Sequence, residues 1–212
     1  MPRAILFDLD GTVTDSGEGI MNCAAFALEK LGLTVPQREK LRVFVGPPLQ
    51  KTFPEFGVDP KQVDEAIAIF RSRYVPIGKF ENKPYPGVQE LLGRLQKDGN
   101  RLFIATSKPE TTALEVLEHF HLTSYFEMIA GATFDGTRDS KEDVIQYLLG
   151  QTSALEDAVM VGDTAYDVIG ASAHGIPCIG VSWGYGEIQD MESAGAMSIA
   201  HTMDELYDLL TK

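Results

Sequence analysis

Asp8 and Asp10 stand two residues apart at the end of an apolar run, Ala4-Ile5-Leu6-Phe7, and are followed by Gly11-Thr12. Two ionised carboxylates held that close repel one another unless a proton or a cation is shared between them. Oxygen ligands of this kind suit Mg²⁺, which takes a few carboxylates together with waters and phosphate oxygens. Taken alone, the pair reads equally well as an Asp-Gly turn centred on Asp10-Gly11. Other strand ends change that balance. Thr106-Ser107 closes the run Leu102-Phe103-Ile104-Ala105 and precedes a helix start, where a hydroxyl and backbone N–H groups can hold phosphate oxygens. Ser107 also reads as a capping residue, so the side-chain contact is assigned to Thr106 and a backbone contact to Ser107. Lys141 follows the helix cap Ser140, where a cation opposes the helix dipole. A surface lysine tolerates that small cost, but three carboxylates and a phosphate require a positive charge nearby. Asp163 ends Ala158-Val159-Met160-Val161, and Asp167, one helical turn on, supports the site from behind. An acidic N-cap explains that one strand end, not three.

The elements that must position these residues follow from the same runs. The three above, with Cys178-Ile179-Gly180-Val181, are continuous apolar stretches of the kind that form buried parallel strands, and Met128-Ile129-Ala130 is a weaker fifth. Helical spacing appears between them: Val88, Leu91, Leu92 and Leu95 ending at Gly99; Leu114, Leu117 and Phe120 after a capping box at Ser107 to Glu110; Val144, Tyr147 and Leu148 after Ser140; and a helix from Thr164 stopping near Gly175. Alternation of strand and helix predicts an α/β fold with a doubly wound, mainly parallel sheet, whose ligands bind outside the carboxyl ends of the strands. From Gly17 to Lys79 the alternation stops, and Met21, Ala24, Ala25, Leu28 and Leu31, then Val63, Ala66, Ile67 and Phe70, repeat at helical spacing. The division predicted is an α/β catalytic core over 1–15 and 82–212 with an inserted helical cap over 16–81, hinged at Gly11 to Gly17 and at Pro84-Tyr85-Pro86-Gly87.

Composition bounds the function classes. The 212 residues are 44% hydrophobic and 23% charged, near the globular average, and carry a formal net charge of −13 without a Lys/Arg cluster. A stable nucleic-acid partner is not expected. The seven residues before Asp8 are too few for a signal segment, and no apolar run reaches membrane-spanning length, so a cytoplasmic protein, monomer or homodimer, is expected. Cys23 and Cys178 lack metal spacing and read as buried thiols. His119, His121, His174 and His201 have no ligand-spaced partner, Asp135-Gly136-Thr137 reads as a turn, and Gly180 to Gly186 as a loop bordering the site.

Phe7-Asp8-Leu9-Asp10-Gly11-Thr12-Val13-Thr14-Asp15-Ser16, Thr106-Ser107, Lys141, and Gly162-Asp163 with Asp167 resemble, in order and spacing, the four motifs of the haloacid dehalogenase-like hydrolases. The helical insert, with Val45-Gly46-Pro47-Pro48-Leu49, is similar to the cap of the phosphoglycolate phosphatase and 5′-nucleotidase branch. The resemblance implies a Mg²⁺-dependent phosphatase acting on a small phosphorylated metabolite through an aspartyl-phosphate. By it, Asp8 is the nucleophile and Asp10 the acid and base. Asp8, the backbone carbonyl of Asp10 and Asp163 would hold Mg²⁺, and Asp167 would orient that group or Lys141. Thr106, Ser107 and Lys141 would bind the phosphoryl oxygens. Arg42, Lys51 and Arg138 are candidate substrate contacts, while Lys108 reads as solvent-facing. The alternatives are a sugar phosphomutase of the same superfamily and, from another class, a receiver-like phosphoacceptor module.

Overall fold

A computed structural model describes residues 3–152 and 157–212. Six strands form one sheet: β1 (Ala4–Phe7), β4 (Arg101–Pro109), β5 (Met128–Ala132), β6 (Val159–Gly162), β7 (Cys178–Val181) and β8 (Ser198–Ala200). Their spatial order is β5-β4-β1-β6-β7-β8 and every pairing is parallel. The chain therefore runs outward from β1 in one direction and then, from β6, in the other. The reversal lies between β1 and β6, which is where doubly wound sheets open a crevice.

The apolar runs become strands because both faces of the sheet are covered. Ile5 and Phe7 face a cluster with Leu91, Leu95 and Val116, from α4 (Val88–Lys97) and α5 (Glu110–His119). Ala4 and Leu6 face the opposite cluster with Val144 and Val168, from α6 (Lys141–Gln151) and α7 (Ala165–Ser172). Helix α8 (Ile188–Ser193) precedes β8 and α9 (Met203–Thr211) follows it. Cys23 and Cys178 are free, buried thiols. No helix among the described residues is long and apolar enough to cross a membrane.

Between β1 and β4 the chain departs into α1 (Gly17–Lys30), α2 (Leu49–Glu55) and α3 (Val63–Tyr74), joined by short 3₁₀ turns. Phe44, Phe53 and Phe70 close these on an apolar cluster of their own with Ala24 and Leu28. Close approach of α1 to the turn after α3 depends on Gly19, where a Cβ would fall 1.9 Å from the Gly78 carbonyl oxygen. A two-stranded antiparallel ribbon, β2 (Thr14–Asp15) with β3 (Lys83–Pro84), ties the departing chain to the returning one.

One sequence reading needs correction here. Ser107 to Glu110 does not form a capping box: β4 continues through Pro109, and α5 begins at Glu110 with Pro109 as its N-cap. Ser107 and Lys108 instead form a bulge, between the pairs Thr106↔Gly131 and Pro109↔Ala132. β8 is a three-residue edge strand that no apolar run announced; Ser198 and Ile199 are only half-buried there. The Ser140 cap is present, with Asp143 reaching back to complete a capping box.

Candidate active site

Three strand ends and one helix start converge at the mouth of the crevice. Asp8 follows β1 directly, its amide donating to the Val161 carbonyl of β6 at 2.9 Å, so the strand pairing carries on into the site. The chain then turns sharply: Leu9 O accepts from the amides of Val13 (3.0 Å) and Thr14 (2.9 Å), and Gly11 takes φ +85°. A Cβ on Gly11 would stand 2.2 Å from Asp163 Oδ2, so only glycine permits this approach of the turn to Asp163.

Lys141, the first residue of α6, is buried, and its Nζ lies 2.8 Å from Asp8 Oδ1 and 2.7 Å from Asp167 Oδ1 while donating to the Ala105 carbonyl at 2.8 Å. Asp167 Oδ2 accepts from the Thr164 amide (3.0 Å) and hydroxyl (2.8 Å). Both oxygens of Asp167 are thereby engaged, and it fixes Lys141 from behind. Asp163 accepts from the Thr12 hydroxyl at 3.2 Å and the Tyr185 amide at 2.8 Å. The second bond comes from the glycine-rich loop after β7, where Gly184 and Gly186 allow the backbone to close on Asp163. Thr106 is buried at the end of β4, its hydroxyl accepting from the Lys108 amide at 3.3 Å.

Lys108 is the second departure from the sequence reading. It is 7% exposed, its ammonium pairs with Asp10 Oδ2, and it donates to the Tyr74 hydroxyl of α3 at 2.6 Å. The bulge turns it inward, which its charge in the sequence could not announce.

Electrostatics set the demand of this cluster. Burial pushes the Asp8 carboxyl up to about 6; the Lys141 ammonium opposes this, and Asp167 and Asp10 add to it. Burial likewise raises Asp163 well above the carboxylate range, reinforced by Asp167 and Asp8. Burial disfavours the Lys141 ammonium, but Asp167 and Asp8 outweigh it and hold Lys141 protonated. When all are ionised, Asp8, Asp10, Asp163 and Asp167 face Lys108 and Lys141 alone among the described buried cations, an excess of two negative charges. One oxygen each from Asp8, Asp163 and Asp167 lie within 4.8 Å of one another. An all-oxygen donor set short of two positive charges fits a hard divalent cation such as Mg²⁺.

Above this cluster lies a cavity of about 170 Å³. Its floor is Asp8, Asp10, Thr106, Ser107 and Lys108, and its roof includes Phe44, Phe70, Arg71 and Tyr74 from the helical segment. Arg71 stacks on Phe134, 5.0 Å from the ring centre, has no ion-pair partner among the described residues, and is pushed down by burial. The cations singled out in the sequence lie elsewhere. Arg138 donates to the Gly131 carbonyl and to Glu110, both at 2.6 Å, and stacks on Tyr147. Arg42 stacks on Tyr185 and Lys51 lies over Tyr166, and none of the three lines the cavity. Arg71 follows the core residue Phe70 in the helical repeat, the one sequence signal that could have placed it near the cavity.

The model of haloacid dehalogenase-like hydrolases matches residues 5–181. The tyrosine-protein kinase PtkA of Mycobacterium tuberculosis is 42% identical over 212 residues, 99% of this chain and 72% of that protein. A 5′-nucleotidase of Pseudomonas aeruginosa is 41% identical over 191 residues, 89% of this chain and 86% of that one. The crystal structure of a predicted phosphatase from Clostridium acetobutylicum superposes with TM-score 0.95 at 41% identity, covering 99% of this chain and 98% of the other. This chain belongs to the haloacid dehalogenase-like hydrolases.

Proposed function

We propose that the protein is a Mg²⁺-dependent phosphatase that hydrolyses a small phosphate monoester through an aspartyl-phosphate on Asp8. The observation that carries this reading is Asp8 itself, a cavity-floor carboxylate held between the Lys141 ammonium and a cluster of acids, with Asp10 beside it. An Asp8 oxygen attacks phosphorus and the bond from phosphorus to the ester oxygen breaks, the leaving oxygen taking its proton from Asp10. Asp10 then removes a proton from water as that water attacks the same phosphorus, releasing phosphate and restoring both carboxyls. Thr106, the Ser107 backbone and Lys141 bind the phosphoryl oxygens. Mg²⁺, held by Asp8, the Asp10 carbonyl and Asp163, would neutralise phosphoryl charge. Asp167 keeps Lys141 in place.

Residues 16–81 act in this reading as a cap over the core formed by 1–15 and 82–212, excluding water and selecting the leaving group. The names of the relatives, 5′-nucleotidase at 41% identity and phosphoglycolate phosphatase at 29%, support a small phosphorylated metabolite as substrate. The cavity of about 170 Å³ is small against the roughly 300–1,000 Å³ of pockets for drug-sized ligands, which favours a compact leaving group. The test is phosphate release with Mg²⁺ from a panel of 2-phosphoglycolate, nucleoside monophosphates, sugar phosphates and phosphotyrosine. Asp8→Asn is expected to lower release at least ~10³-fold. Retention of most activity by that variant would overturn the mechanism. Return of the phosphoryl group to a sugar without free phosphate would make the protein a mutase.

A further inference from the structure

Lys108 occupies a place that chain folding alone does not require. It belongs to the bulge in β4, buried, with its ammonium between two oxygens of different origin: Asp10 Oδ2 from the turn after β1, and the Tyr74 hydroxyl from the last residue of α3. Tyr74 is itself buried, its ring stacked on Phe70 at 5.2 Å and lying 5.0 Å from the Lys108 ammonium. The second oxygen of Asp10, Oδ1, is also buried yet has no hydrogen-bond partner, although Asp10 lines the cavity. A buried ion pair adds little to stability compared with well-packed apolar residues. What this pair does is hold one oxygen of Asp10 and leave the other bare.

We propose that Lys108 is a positioning residue that holds Asp10 by Oδ2, leaving Oδ1 to exchange the proton with leaving group and water. Tyr74 makes that hold depend on α3 being closed over the core. Asp10 is then fully aligned only when the helical segment covers the substrate, which suppresses attack by water at an open site. The proposal rests on the phosphatase reading and on the acid–base role of Asp10 within it.

Leaving-group dependence tests it. An alkoxide needs a proton as it departs, whereas p-nitrophenolate leaves without one, so misplacing Asp10 slows phosphorylation of Asp8 by alkyl esters far more than by p-nitrophenyl phosphate. Rapid-quench measurement of the phosphoenzyme is made with p-nitrophenyl phosphate and with the faster of 2-phosphoglycolate and 5′-AMP. Lys108→Met is expected to lower the alkyl-to-aryl ratio of phosphorylation rates by about 100-fold. Lys108→Arg should recover part of that ratio, and Tyr74→Phe, which keeps the ring on Phe70, should lower it several-fold. An equal loss on both substrates, or a rise in KM with the ratio unchanged, overturns the proposal. Tyr74→Phe and Lys108→Arg decide it if Lys108→Met fails to fold. A wild-type enzyme that forms no phosphoenzyme with any ester defeats the phosphatase reading instead.

Discussion

Asp163 carries two burdens at once. It is buried beside Asp8 and Asp167, all three without enough positive charge, yet it is precisely oriented by Thr12 and the Tyr185 amide. Groups retained for function in this way lower stability, and removing the charge should show it. Asp163→Asn keeps an oxygen to accept from Tyr185, and the Thr12 hydroxyl can turn to accept from the new amide. Without divalent cation this variant is expected to be more stable than the wild type by about 1 kcal/mol, and to lose the thermal shift that Mg²⁺ gives. Melting curves with and without MgCl₂ check both; a less stable variant that still responds to Mg²⁺ would remove Asp163 from the metal site. Asp8 and Asp163 were legible in the sequence because their type and their place just after strand ends already imply chemistry, and Asp167 because it lies one helical turn beyond Asp163. Lys108, Tyr74 and Arg71 were not, since a lysine in a bulge and two residues late in a helix acquire their meaning only from what the fold brings opposite them.

Lys141 shows how an element delivers a residue. Its ammonium reaches Asp8 because α6 starts where it does, and the start is set by Ser140, whose hydroxyl accepts from the Asp143 amide at 3.1 Å while Asp143 Oδ2 accepts from the Ser140 amide at 3.2 Å. Ser140→Ala is expected to cost about 1 kcal/mol in chemical denaturation and to reduce kcat more than it changes KM, because the first turn of α6 carries Lys141. Unchanged stability would mean that Lys141's own ion pairs hold that turn. This cap was readable because Ser, a three-residue spacing and an acid are local chemistry. The same kind of signal misled at Ser107 to Glu110, where the pairing of β4 with β5 through Pro109 overrode a local helix start. Strands β1, β6 and β7 were visible because burial on both faces demands unbroken apolar runs. The edge strand β8 lacks that demand, and so lacked the signal.

At the scale of the molecule, the proposed anionic substrate would approach a chain of net charge −13, so attraction would have to be built locally, from Lys108, Lys141, Arg71 and the proposed cation. That requirement has a pH signature. The Asp8 carboxyl rises from 3.8 to about 6 in the fold, so the folded protein keeps this proton longer than the unfolded chain. By linkage, metal-free stability from this group falls as pH climbs from about 4, and the loss is complete above about 6. Asp163 is raised in the same direction and adds to that loss. Glu81 and Asp143, lowered chiefly by hydrogen bonds from Arg73 and Ser140, act oppositely: their stabilisation is present above the usual carboxylate pKa and fades as pH falls. Those two lie outside the cluster, so their effect cancels when melting temperatures with and without Mg²⁺ are compared at one pH. Held as proposed, Mg²⁺ would compete with protons for Asp8 and Asp163 and relieve their repulsion once they are ionised. The Mg²⁺-induced shift should therefore be larger at pH 7.5 than at pH 5.0. At 100 times its Kd a ligand adds about 2.7 kcal/mol, which for a chain of this size is roughly 5–10 °C. Differential scanning calorimetry at matched ionic strength measures it, and a shift that is equal at the two pH values, or larger at pH 5.0, would mean that the cation binds somewhere other than these carboxylates.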